Sequence, residues 1–207
     1  MYETILDLLD KYDTADDDLA HYCRTNCPKG VDFRYGATRG CFILPDSDFV
    51  VKFDLYCNGH YCALENYNYH KAKEYRIEQI LLPIRKDIVL SNEIAIYVQT
   101  KYTYGYRSRS RQITEEMRNA YRYMNNKTLN KIYNVIECNT TREWLSRVIQ
   151  LYGKKFVRSF EHWQKECNVN DLHTGNIGFL KNRPILLDYA GFQGVDYTPP
   201  KNIIENF

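Results

Sequence analysis

Long apolar runs are missing from this chain of 207 residues: stretches such as Ile80-Leu81-Leu82 and Ile185-Leu186-Leu187 fall far short of a membrane span. Charge of one sign is missing too. Twenty-eight Lys and Arg against 26 Asp and Glu leave a net +2, too little to draw a nucleic acid or an anionic membrane by charge alone. The first residues, Met1-Tyr2-Glu3-Thr4, are acidic and lack the apolar stretch of a secretion signal, so a cytoplasmic setting is expected. Seven cysteines cannot all close into disulfides, and reduced thiols fit that setting. There is no repeat and no low-complexity tract. What is present is an ordinary globular balance, 44% apolar and 26% charged, with 19 tyrosines scattered along the chain.

Periodicity divides the sequence. Ile5, Leu8, Leu9 and Tyr12 mark one helix face, and Asp16-Asp17-Asp18 suit the N-terminus of a second short helix. Tyr35–Leu44, interrupted by Gly36 and Gly40, and Phe49–Leu55 read as strands joined by a turn at residues 45–48. A long helix is expected over 63–82, then strands at 88–90 and 94–99 around a turn at Ser91-Asn92-Glu93. That order predicts an α+β fold with a mainly antiparallel sheet. Beyond Tyr102 the pattern turns helical: 114–124, 128–136, and a strong helix opened by the capping-box spacing of Thr140 and Glu143. Trp144, Val148, Leu151 and Tyr152 line one side of it, Gly153 ends or interrupts it, and Phe156, Phe160 and Trp163 continue the stripe. Two short strands follow, near 177–180 and 184–187. The expected domains are a helical extension over 1–30, a sheet-rich lobe over 31–101 and a reduced helical lobe over 102–207.

The chemistry is concentrated late. Asp171 and Asn176 stand five apart in a polar loop, Asn170-Asp171-Leu172-His173-Thr174-Gly175-Asn176, and a strand then delivers Asp188. A carboxylate able to take a hydroxyl proton, followed by hard oxygen ligands, is what phosphoryl transfer from Mg-ATP requires. In this the chain resembles the protein-kinase-like superfamily, whose catalytic loop has an Asp and an Asn at this spacing before a metal-binding Asp. The wording Asp-Leu-His-x-x-Asn-Ile-Gly is similar to the atypical and antibiotic-phosphotransferase-like branches. The resemblance implies a two-lobed fold and ATP and Mg²⁺ as cofactors. Asp171 becomes the catalytic carboxylate, with Asn176 and Asp188 as metal ligands. Upstream it makes Lys52, in Val50-Val51-Lys52, the phosphate-contacting lysine, paired with Glu65 on the next helix. Gly36, Thr38, Arg39 and Gly40 become the phosphate-covering loop, and Thr100 and Tyr102 part of a hinge over 97–102 whose backbone bonds adenine.

The wording departs from the family at several points. The glycines are four apart rather than in Gly-x-Gly-x-x-Gly, Val169 replaces a histidine, Asp188-Tyr189-Ala190 replaces Asp-Phe-Gly, and 19 residues follow Asp188. The expectation is therefore a C-terminally shortened member, of a kind that phages, mobile elements and pathogen effectors carry. It would act on or with a protein partner as a minimal Ser/Thr kinase. The alternative is a pseudokinase-type binding module, effector or inhibitor, without phosphoryl transfer. A small-molecule kinase would draw on Glu115, Glu116 and Glu137. His21, Cys23 and Cys27 with Cys57, His60 and Cys62 raise zinc, but lack the Cys-x2-Cys spacing, and packed thiols are the simpler reading. Arg107, Arg109 and Arg111 among tyrosines read as a solvated basic loop rather than a nucleic-acid surface.

Overall fold

A computed structural model describes residues 1–15, 18–56, 60–102, 139–169, 175–181 and 183–191. The basic loop at 107–111 and the helices expected over 114–124 and 128–136 lie outside these residues, as does Asp171. The chain divides into two units, one of Met1–Tyr67 with Pro83–Lys101, the other of Asn68–Leu82 with Tyr102–Asp196. It is an α+β protein whose sheets are antiparallel.

The first unit is a five-stranded sheet between helices. Its strands are β1 (Asp32–Tyr35), β2 (Arg39–Ile43), β3 (Phe49–Asp54), β4 (Ile84–Ser91) and β5 (Ile94–Thr100), in the order β1-β2-β3-β5-β4. Every residue of β5 is buried, as a strand covered on both faces must be. Ile94, Ile96 and Val98 join Phe42, Val51 and Phe53 in a cluster with Ile5, Leu9 and Tyr12 of the α1 region (Tyr2–Asp10) and Leu19 and Cys23 of α2 (Leu19–Thr25). Ala95 and Tyr97 meet Cys62 of α3 (Tyr61–Glu74) on the opposite face. The Asp18 side chain caps α2, accepting the His21 N–H at 2.8 Å. Asn92 and Glu93 both take positive φ, 48° and 65°, which turns β4 into β5 with the twist a hairpin needs.

Three elements differ from the sequence pattern. The stretch 35–44 is not one strand: Gly36 N–H bonds Arg39 O at 2.9 Å, closing a hairpin turn between β1 and β2. The helix over 63–82 stops at Glu74. Arg76 takes φ 58°, Ile77 N–H reaches Ala72 O at 2.9 Å and Arg76 N–H reaches Lys73 O at 3.0 Å, a Schellman ending with arginine where glycine is usual. A short 3₁₀ turn, Glu78–Ile80, follows. β4 is longer than expected, running from Ile84.

The second unit, whose boundary with the first falls within α3, is built on α4 (Asn139–Glu166) and the hairpin of β6 (Ile177–Leu180) with β7 (Arg183–Leu186). α4 begins one residue before Thr140, and Gly153 interrupts it with φ 78° and ψ 176°. Trp144, Phe160 and Trp163 are fully buried, Trp144 tilted against Phe160 at a centroid distance of 6.2 Å and Phe160 stacked on Trp163 at 5.7 Å. Trp144 Nε1–H donates to Ile185 O at 3.1 Å, and Leu82 N–H to Leu186 O at 2.9 Å, which fixes the hairpin against α4 and the 3₁₀ turn.

Candidate functional site

Alternation along β3 places Val51 and Phe53 in the core under α1 and α2, and therefore Lys52 on the face that α3 covers. Glu65 lies on α3 with its side chain fully buried. The Lys52 ammonium is 3.6 Å from Glu65 Oε1. Glu65 collects three further donors. Gln99 Nε2 donates to Oε1 at 3.2 Å, the Tyr97 hydroxyl to Oε2 at 2.7 Å, and the Arg39 guanidinium also binds Oε2. A buried carboxylate is stable only when so paired, and stripping one partner from such a pair costs about 3–5 kcal/mol.

Next to this cluster is a carboxylate that sequence reasoning missed. Asp54, the register partner of Arg39, is fully buried, and both its oxygens accept the Cys62 N–H in the first turn of α3, at 3.0 and 3.3 Å. Burial pushes its pKa up to about 6, and Glu65 adds to the rise. The Cys62 hydrogen bond and Arg39 oppose it. The available signal was an acid at a strand end shortly before a helix start. Cys41, the register partner of Lys52, has Arg34, Arg39 and Lys52 for electrostatic neighbours, yet burial still raises its thiol pKa.

The expected phosphate loop is differently employed. Gly36 and Thr38 belong to the β1–β2 turn, and Thr38 O accepts the Leu55 N–H at 3.0 Å. Arg39 and Gly40 are the first residues of β2, and a Cβ on Gly40 would come within 2.3 Å of the Phe53 ring. Residues 97–100 of the expected hinge are inside β5. Tyr97 is buried there, and the Thr100 N–H is taken by Pro83 O while its hydroxyl accepts from Arg85.

In the second unit the β6–β7 register sets the other candidates. Ile177 pairs with Leu186, and Leu187 N–H donates to Asn176 O at 2.7 Å, so Asn176 and Asp188 emerge at the same end of one hairpin. Both are half-buried, and Asp188 Oδ1 accepts the Ala190 N–H at 3.3 Å. Gly191 holds φ 79°, and a Cβ there would meet Asn168 O at 2.5 Å, so the turn after Asp188 lies against the backbone of Asn168 and Val169. The Tyr102 hydroxyl accepts the Phe179 N–H at 3.2 Å, and its ring covers Gly178. Asn68 is a second residue that the sequence did not announce. It is buried on α3, its Nδ2–H donates to Tyr189 O at 2.8 Å, and its own carbonyl accepts from Trp163 Nε1 at 2.9 Å.

Among the described residues no three His, Cys, Asp or Glu side chains gather as a metal site, and Cys57 lies outside them. Cys23 and Cys62 are fully buried, and burial pushes the Cys23 thiol up to about 12. No described helix is long and apolar enough to cross a membrane. A cavity of about 210 Å³, lined by Tyr2, Asp48, Phe49, Arg85, Lys86 and Val98, contains none of the candidate residues. The sequence matches no family model and no curated protein, and no solved structure matches it.

Proposed function

We propose that the chain is a Mg-ATP-dependent phosphotransferase of protein-kinase-like design, acting in the cytoplasm on a serine or threonine hydroxyl of a protein partner. The observation that carries this reading is the Lys52 ammonium 3.6 Å from the buried Glu65 carboxylate. The lysine is on the third strand and the glutamate on the helix that follows, the pairing protein kinases need for catalysis. The residues fit the cofactors. Lys52 keeps a partly exposed cation for phosphate oxygens, and Asn176 and Asp188 offer hard oxygen donors from one hairpin end, which suit Mg²⁺. Bound Mg-ATP supplies the phosphoryl group and a Lewis acid.

In this reading Glu65 orients Lys52, Lys52 offsets phosphate charge, Asn176 and Asp188 hold the metal, and Asp171 accepts the proton of the attacking hydroxyl. The free Cys23, Cys27, Cys41, Cys62 and Cys167 agree with a reducing compartment. A second reading, a nucleotide-binding module without transfer, draws on the β1–β2 turn. Gly36 N–H is spent on Arg39 O and Gly40 lies under Phe53, so neither glycine serves as an open phosphate cradle. The experiment is incubation with γ-labelled Mg-ATP. Turnover or transfer that Asp188→Ala abolishes supports the phosphotransferase. A stable complex with no turnover supports the module, and neither binding nor turnover sinks both.

A further inference from the structure

A carboxylate offers about four acceptor positions, and Glu65 fills them unevenly. Oε2 holds the Arg39 guanidinium and the Tyr97 hydroxyl, and Oε1 holds Gln99 Nε2 at 3.2 Å. Lys52, at 3.6 Å from Oε1, is beyond ordinary hydrogen-bond length and touches the carboxylate only as an ion. Arg39 reaches Glu65 from β2 and Lys52 from β3, two cations on one buried carboxylate. The neighbouring Asp54 has the α3 backbone to bond through Cys62 N–H.

We infer that Arg39 is a positioning residue that neutralises Glu65, so that the Lys52 charge remains available to a polyphosphate. The arginine does the work usually left to the lysine: it holds the carboxylate still. Lys52 is then oriented by Glu65 without being consumed by it. The ligand class follows from Lys52 itself, a partly exposed ammonium held beside a carboxylate that Arg39 already neutralises, which favours an anion over a neutral sugar or an amine. This inference rests on the reading of Lys52 as a phosphate ligand.

The test is calorimetric titration with inorganic tripolyphosphate and with Mg-ATP. The variants are Arg39→Gln, Arg39→Lys and the double variant Arg39→Gln/Glu65→Gln. Removing Arg39 alone leaves Lys52, among the described residues, as the cation on Glu65, and tripolyphosphate binding is expected to weaken roughly tenfold. Arg39→Lys keeps the charge and stays within about threefold of wild type. The double variant removes the arginine together with the carboxylate it neutralises, and is expected to bind more tightly than Arg39→Gln, because no carboxylate then draws on the ammonium, but less tightly than wild type, because Glu65 no longer orients Lys52. If Arg39 instead touched the phosphates directly, the double variant would be as weak as Arg39→Gln. That result overturns the inference, as does unchanged binding by Arg39→Gln. Should Arg39→Gln fail to fold, the double variant is compared with Glu65→Gln: equal binding by the two supports the inference, and weaker binding by the double variant overturns it. Absence of binding by the wild-type protein overturns the phosphate reading itself, and this inference with it.

Discussion

Gly40 separates two accounts of one residue. A phosphate loop would need it for close approach of a ligand, whereas the structure has its face occupied by the Phe53 ring. A Cβ at position 40 would lie 2.3, 2.6 and 2.9 Å from Cζ, Cε1 and Cε2 of that ring. The ring has little room to yield, being fully buried and stacked on Phe42 at 5.2 Å and on Phe33 at 6.1 Å. Overpacking of this kind costs about 1–3 kcal/mol, so Gly40→Ala should lower the urea midpoint without changing the slope of the transition. Gly36→Ala is the control. No atom lies within 4 Å of its Cβ position, and stability should change by no more than about 0.5 kcal/mol. Adding Phe53→Leu to Gly40→Ala returns volume and should recover part of the loss. Circular dichroism against urea makes the measurement. A fully stable Gly40→Ala protein would refute the packing argument, and one that is stable yet loses Mg-ATP binding would return the glycine to the phosphates.

Two further outcomes follow from buried polar groups. Asp54 has a folded pKa of about 6 against 3.8 for an ordinary aspartate, so the folded state holds its proton more tightly. Its contribution therefore falls as pH rises from about 4 to 6 and is level above that. Asp54→Asn should remove this slope and leave the protein more stable at pH 7, by on the order of 2–3 kcal/mol, in urea unfolding across that range. Wild type and variant with parallel pH profiles would contradict it. Asn68→Ala should cost about 1–3 kcal/mol, because the Tyr189 carbonyl loses the donor that reaches it at 2.8 Å. An unchanged urea midpoint would show that Tyr189 O finds another partner.

Much of the first unit was legible because its signals are local. The run Ile94–Thr100 is apolar enough to announce a strand covered on both faces, Asp18 announces the start of α2, and Val50-Val51-Lys52 places its lysine by simple alternation. The end of α3 was not legible, since a Schellman turn built on Arg76 carries no glycine to mark it. Gly36 and Gly40 looked equivalent in sequence. Only strand pairing, which puts Gly40 opposite Phe53, assigns one to a turn and the other to packing. The Lys52–Glu65 pair was foreseen from resemblance, but the role of Arg39 on the same carboxylate depends on β2 lying beside β3. Asp54 and Asn68 escaped because nothing in a sequence separates a buried polar residue from an exposed one until its partners, here Cys62 N–H and Tyr189 O, are in place. Asn176 and Asp188 were read from their spacing after Asp171 and the resemblance it carries. The β6–β7 register adds that they share a hairpin end.

The most direct test of the account is the melting temperature with and without Mg-ATP, for the wild-type protein, Asp188→Asn and Lys52→Met. A ligand at a hundred times its Kd stabilises by about 2.7 kcal/mol, a shift of several degrees. The account predicts that shift in the wild-type protein and its loss in both variants, each measured against its own melting temperature without nucleotide. No shift in the wild-type protein, or an equal shift in all three, would contradict the proposal that Lys52 and Asp188 each contribute to binding Mg-ATP.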